Sequence, residues 1–327
     1  MNPQKTALSL AEVFPAPSRP GFGLKPIFIG PNGLRAGWRL LIFLALCGIQ
    51  FGGFVFVRVH FFGASVGEPA GPLTATPIML GGSEAVTLLF LVIATFVMGR
   101  IEHRRFSEYG LPLRQVLGKD FWLGALWGFL AISGALLAMF PLRGFRITGM
   151  ALHGSAIFSS LVAWSIAMIV VGIFEEFLCR GYVQYTLASG IGFWPAAFVM
   201  AALFGFGHAF RSGETTLGAI SAGSFGLLFC LFLRRTGNLW PAIGFHAAWN
   251  WGQTFLYGVP NSALLPSRNL FHSTLSGPLW LTGGTVGPEA SILCPIALLV
   301  VGLIFSRHYR ENRYPALERG SLSKSVS

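Results

Sequence analysis

The sequence predicts an all-α polytopic membrane protein with about eight transmembrane helices and an active site within the helix bundle. Three observations predict it. Of 327 residues, 53% are hydrophobic and only 11% charged, whereas a soluble domain carries about 25% charged residues. Eight apolar stretches are long enough, at roughly 20 residues, to cross bilayer hydrocarbon. The basic residues divide unequally between the two sides those stretches define.

The elements follow in order. Residues 1–36 contain Pro, Gly and Ser without an apolar signal core, so a flexible cytoplasmic tail is expected. Spans are expected at 37–58, 79–99, 121–141, 156–175, 193–210, 217–233, 238–257 and 288–305. The last three connections before 258 are short, which makes those helices antiparallel neighbours. Residues 258–287 read as a longer polar loop bearing Gly and Pro, and 306–327 as a basic cytoplasmic tail. One membrane domain, 37–305, accounts for the rest, with a motif-bearing core at 156–257. Neither a repeat nor a low-complexity run is visible. Gly48-x-x-x-Gly52 has the spacing of a small-residue packing face, but 42 glycines make chance matches common.

The net charge is +11 and the pI about 10.2. With the N-terminus inside and eight spans, 18 of the 23 Lys and Arg fall inside; Arg58, Arg143, Arg146, Arg211 and Arg268 fall outside. That split supports cytoplasmic N- and C-termini. The basic residues sit in short loops beside spans with no interleaved aromatics, so no nucleic-acid partner is expected. Cys47, Cys179, Cys230 and Cys294 all lie in apolar stretches without CxxC spacing and read as inert thiols.

Three short pieces place ionisable groups where lipid-embedded segments carry none: Glu175-Glu176-Phe177-Leu178-Cys179-Arg180, Phe204-Gly205-Phe206-Gly207-His208 and His246-Ala247-Ala248-Trp249-Asn250. A charge at membrane depth costs about 2.5 kcal/mol or more, so each is a functional-site hypothesis. Glu176 and Arg180 are four apart and share a helix face, where they can pair. Glu175 points about 100° away from Glu176. The apolar run continues beyond Glu176 to the turn signal Ser189-Gly190-Ile191-Gly192. Positions 175 and 208 are equidistant from that turn, so two helical arms would hold Glu175 and His208 level. His246 and Asn250 also share a face, and both are donors that suit a developing oxyanion. An interhelical polar contact is the plainer alternative for that pair.

Other patterns are absent or false. The chain has no His-Glu-x-x-His zinc motif and no Gly-rich phosphate loop. Gly63-Ala64-Ser65-Val66-Gly67 has the letters of a nucleophile elbow but lies in a loop between spans, without the strand-to-helix turn that motif needs. Glu84 is an unassigned acid inside the second span.

Taken together and in this order, Glu-Glu-x-x-x-Arg, Phe-x-x-x-His and His-x-x-x-Asn resemble the CPBP family of intramembrane proteases. That family includes CAAX prenyl endopeptidases and the bacterial Abi or bacteriocin-processing proteins. The motif separations are 33 and 38 residues, within about 170–255. The resemblance implies an eight-helix endopeptidase and assigns roles. Glu175 and His208 activate water, His246 and Asn250 form the oxyanion hole, and Glu176 and Arg180 support, with Phe204 as a motif residue. It leaves metalloprotease and metal-free glutamate chemistry both open.

Elementary chemistry agrees with those roles. Desolvation makes a buried carboxylate a stronger base for water. Two His and one Glu, here Glu175, His208 and His246, also satisfy a catalytic zinc with an open position. The expected cofactor is therefore none or Zn2+. The expected substrate is a membrane-associated protein or peptide, lipidated or CAAX-like included, and the expected setting is a bacterial plasma membrane. Two other functions fit intramembrane charge. One is a proton-coupled transporter using Glu175, His208 and Glu84, against which stands the lack of matched halves. The other is a non-catalytic immunity or scaffold protein of the same family.

Overall fold

The computed structural model describes residues 25–30, 33–62, 74–210 and 213–314. Most of the expected N-terminal tail, the expected tail beyond 314, and Gly63-Ala64-Ser65-Val66-Gly67 lie outside the described residues. Nine helices of ten or more residues occur among those described. They are α1 Ala36–Phe62, α2 Pro77–Ile101, α3 Lys119–Met139, α4 Ser155–Arg180, α5 Tyr182–Ile191, α6 Phe193–Ala209, α7 Thr216–Thr236, α8 Trp240–Trp251 and α9 Leu293–His308. A π-helical turn, Gly252–Leu256, prolongs α8.

Each expected apolar span coincides with a helix, and the all-α class holds. Five helical stretches are long and apolar enough to cross a membrane: α1, α2, α3, α4 run on through α5, and α7. Helices α6 and α9 are apolar but shorter, and α8 has 12 residues before its π turn. Local sequence sets several boundaries. Thr76 caps α2 by accepting from Met79 N, and Thr215 caps α7 by accepting from Gly218 N. Gly237, with φ of 76°, closes α7 in the left-handed region.

Two expectations need correction. The fourth span, bounded at 156–175, runs on to Arg180 as the continuing apolar run implied, and Arg180, expected in an inner region, is wholly buried. It breaks at Gly181, where a Cβ would lie 2.3 Å from the Phe177 carbonyl oxygen. Then α5 continues to the Gly192 turn, whose φ is 88°. The expected polar loop 258–287 also holds short strands. Phe271–Leu275 pairs antiparallel with Phe145–Met150, and Leu265–Pro266 pairs parallel with Thr74–Ala75.

The tightest crossing joins α3 and α8. A Cβ on Gly124, Gly128 or Gly244 would stand 2.0, 2.1 or 2.0 Å from the backbone oxygens of Pro241, Phe245 and Phe121. Only glycine permits that approach. Gly48 and Gly52, by contrast, have no neighbour within 4 Å of such an atom.

One end of the bundle gathers the starts of α1, α3, α6 and α8 with the ends of α2, α5, α7 and α9. There Gly190 abuts Ala36, Phe43 stacks on Tyr182 at 4.4 Å, and Arg234 lies over the Phe193 ring. Leu239 N donates to Gly110 O at that end. At the other end, Ser267 N donates to Ala75 O and Trp164 Nε1 to Ser267 O, tying the 258–287 segment across α2 and α4.

Candidate active site

The three polar motifs converge on one cavity of about 830 Å³. Its walls include Glu175, Phe204, His208, His246 and Asn250, together with Glu84, Glu214 and Glu289. Every catalytic candidate from the sequence therefore lines the same space. Glu176 and Arg180 do not line it; they are packed behind, with no exposed surface.

Helical spacing separates the two adjacent acids. Arg180 Nη1 donates to Glu176 Oε2 at 2.9 Å within the fourth helix. The other Glu176 oxygen lies 2.9 Å from His246 Nδ1 on α8. Arginine is cationic and Glu176 its buried partner, so the His246 nitrogen facing it is assigned as the donor. Glu175 instead faces the cavity, with Oε2 3.9 Å from His246 Nε2. One histidine thus bridges both acids.

The second motif is wired to the first. The Arg180 guanidinium sits 4.9 Å from the Phe204 ring centre and 5.5 Å from that of Phe229, within cation–π range. One turn further along α6, His208 Nδ1 lies 2.9 Å from Phe204 O. A backbone carbonyl only accepts, so Nδ1 carries a proton. Arg180 against Phe204 fixes the relative heights. One turn back along α4 is Glu176, and one turn on along α6 is His208. Glu175 and His208, expected at one level, line the same cavity on the two arms joined at the Gly192 bend.

The cavity also contains groups that sequence reasoning did not assign. Glu84, flagged but undecided, lines the wall from α2. Glu289 precedes α9. It accepts from Gln253 Nε2 and from Ser262 N. Burial pushes its carboxyl up to about 7. Gln253 is wholly buried and also bonds Pro260 O and Trp249 Nε1. Glu214 Oε1 accepts from Thr215 N at 2.8 Å. Signals for these were weak: each is a single polar residue beside an apolar run. The π turn that carries Gln253, a feature frequent at functional sites, leaves no mark in sequence.

The zinc ligands expected from the sequence are Glu175, His208 and His246. His246 is engaged through Nδ1, and its Nε2 is 3.9 Å from Glu175. Among the described residues no three His, Cys, Asp or Glu side chains converge closely enough to hold a metal ion. Glu175, His208 and His246 do not gather as a ligand set in this arrangement. All four cysteines are free thiols.

A helical membrane protein with a polar cavity ending on paired acids and histidines defines the class. Residues 157–252 match the family model of type II CAAX prenyl endopeptidase Rce1-like proteins. That match covers the segment carrying all three polar motifs, and the likeness extends to that segment of the chain. No curated protein matches the chain.

Proposed function

We propose that this protein is an intramembrane endopeptidase that cuts a membrane-associated protein or peptide in the 830 Å³ cavity. One observation carries the reading. Successive acids have opposite surroundings: Glu176 is sealed between Arg180 and His246, while Glu175 faces the cavity beside the same histidine.

Glu175 takes a proton from water as the water attacks the scissile carbonyl, and it returns that proton to the leaving amine. His208, held by its Nδ1 bond to Phe204 O on the cavity wall, orients the same water. His246 and Asn250, one turn apart on the cavity wall, donate to the oxygen of the tetrahedral intermediate. Charge supports that role. Glu175, Glu176 and Arg180 leave one excess negative charge, which a protonated His246 cancels, and protonation equips Nε2 to donate. Glu176, Arg180 and Phe204 hold this geometry and do not touch substrate.

In this reading the protein sits in a bacterial plasma membrane with both termini cytoplasmic, as the basic residues favour. The test is cleavage of a library of lipidated and unlipidated peptide tails. Wild type cuts, and Glu175→Ala, His208→Ala and His246→Ala lose about 10²–10⁴-fold in rate. Cleavage that persists in all three sinks the assignment. Activity abolished by a chelator and restored by zinc, with zinc bound in proportion to protein, establishes metal chemistry instead.

A further inference from the structure

The cavity is blind. Its lining runs from one end of the bundle to midway, from Met79 to Glu84 on α2, from Gly218 to Phe229 on α7, and from the segment Asn261–Leu264 beyond α8 down to His246. Thr285 and Met79 at the wide end are exposed. At the floor, Phe229 is buried, and behind it Glu176, Arg180 and Cys230 have no exposed surface. No lining residue comes from the other half of the bundle.

The two ends also differ in charge. Opposite the mouth lie Arg39, Arg100, Lys119, Arg234, Arg235 and Arg307, at the starts or ends of α1, α2, α3, α7 and α9. The mouth end carries Arg58, Arg143, Arg146 and Arg268 among the described residues. Basic residues flanking spans stay cytoplasmic. Removing buried Arg180 from that count does not alter the balance.

We infer that the cavity is entered from the non-cytoplasmic face, and that its substrates are polypeptide segments displayed on that side of the membrane. The substrate class rests on the hydrolytic reading above; the face of entry does not. A chain end on the cytoplasmic side would meet the packed Glu176–Arg180 pair before reaching Glu175. The class therefore comprises exported chains and outward-facing loops or tails of membrane proteins.

Two measurements in cells test this. The first uses a membrane-impermeant maleimide on Thr285→Cys at the mouth and Arg114→Cys at the basic end, in a Cys47→Ala background. The remaining cysteines are buried. Thr285→Cys is expected to label in intact cells, and Arg114→Cys only after permeabilisation. Label on Arg114→Cys in intact cells, or none on Thr285→Cys until permeabilisation, overturns the inference. The second compares one reporter segment displayed outside with the same segment displayed inside. At least a tenfold preference for the outer reporter, lost in Glu175→Ala, is expected. Preferential cutting of the inner reporter overturns the substrate class. Cutting of neither, with labelling as expected, overturns the hydrolytic reading and leaves the face of entry standing.

Discussion

Glu102 and Glu176 are both buried carboxylates lying 2.9 Å from an arginine nitrogen, yet they belong to different kinds of structure. Glu102 closes α2 at the basic end. It takes Arg39 from α1, the Tyr182 hydroxyl from α5 and the Tyr109 hydroxyl at 3.5 Å. Burial holds the Tyr109 hydroxyl above its usual range, so it stays a donor. Every partner ties helices together, and neither neighbour of Glu102 reaches the cavity. Glu176 is equally engaged, but Glu175 beside it faces an 830 Å³ space with two histidines. A buried ion pair alone does not mark a site. The mark is a second acid that helical geometry turns away from the pair.

Substitutions can break this contrast, and the largest effects are expected at the paired acids. Glu176→Ala leaves Arg180 buried without a counter-charge, at a cost of about 3–5 kcal/mol. Glu102→Ala costs less, about 1–3 kcal/mol, because Arg39 retains 14% exposure and can reach water. Glu175→Ala should leave stability within about 1 kcal/mol while turnover falls about 10²–10⁴-fold. Thermal unfolding in detergent, run beside peptide cleavage, separates the three. A Glu176→Ala protein of normal stability but without turnover would exchange the roles of the two acids.

The sequence and the fold agree most where spacing is local. Glu176 to Arg180 and His246 to Asn250 are single helical turns, and the turn at Gly192 is a glycine signal. All are legible in the sequence. Glu102 with Arg39, 63 residues away, was not, because no local period relates them. The bridge from His246 to Glu176 spans 70 residues and depends on how α8 crosses α4. The break at Gly181 was also hidden: its apolar flanks read as one continuous run. Which glycines pack is hidden for the same reason. Gly48-x-x-x-Gly52 and Gly124-x-x-x-Gly128 have the same spacing, and only the partner backbone tells them apart.

That pair supplies the next test of what separates a packed region from an exposed one. In Gly128→Leu the new side chain begins 2.1 Å from the Phe245 oxygen, so α3 and α8 must part. Overpacking of this kind costs about 1–3 kcal/mol or more. Because α8 carries His246 and Asn250, turnover should fall with stability. Gly48→Leu meets nothing within 4 Å and is expected to stay within about 0.5 kcal/mol of wild type. Equal loss in both variants would show that α1 packs against a partner through Gly48.

The last expected effect is pH-dependent and concerns Glu289, a cavity acid outside both arginine pairs. Its carboxyl is raised from 4.5 to about 7, chiefly by burial, with Glu214 adding to the shift. The folded protein therefore binds this proton more tightly than the unfolded chain. Its contribution is fully present below about pH 4.5 and lost as pH rises through about 7. Between those limits stability should fall by roughly 1–3 kcal/mol. The acid holds Ser262 N, and both Ser262 and Ala263 adopt left-handed backbone, with φ of 48° and 62°. Ionisation is thus felt at a strained lip of the cavity, whereas Glu102 and Glu176 are each paired with an arginine. In Glu289→Gln the group cannot titrate, so this slope in unfolding temperature between pH 5 and 8 should disappear, whatever constant cost the amide adds. Identical slopes in wild type and variant would place the pH response in another residue and remove Glu289 from the comparison.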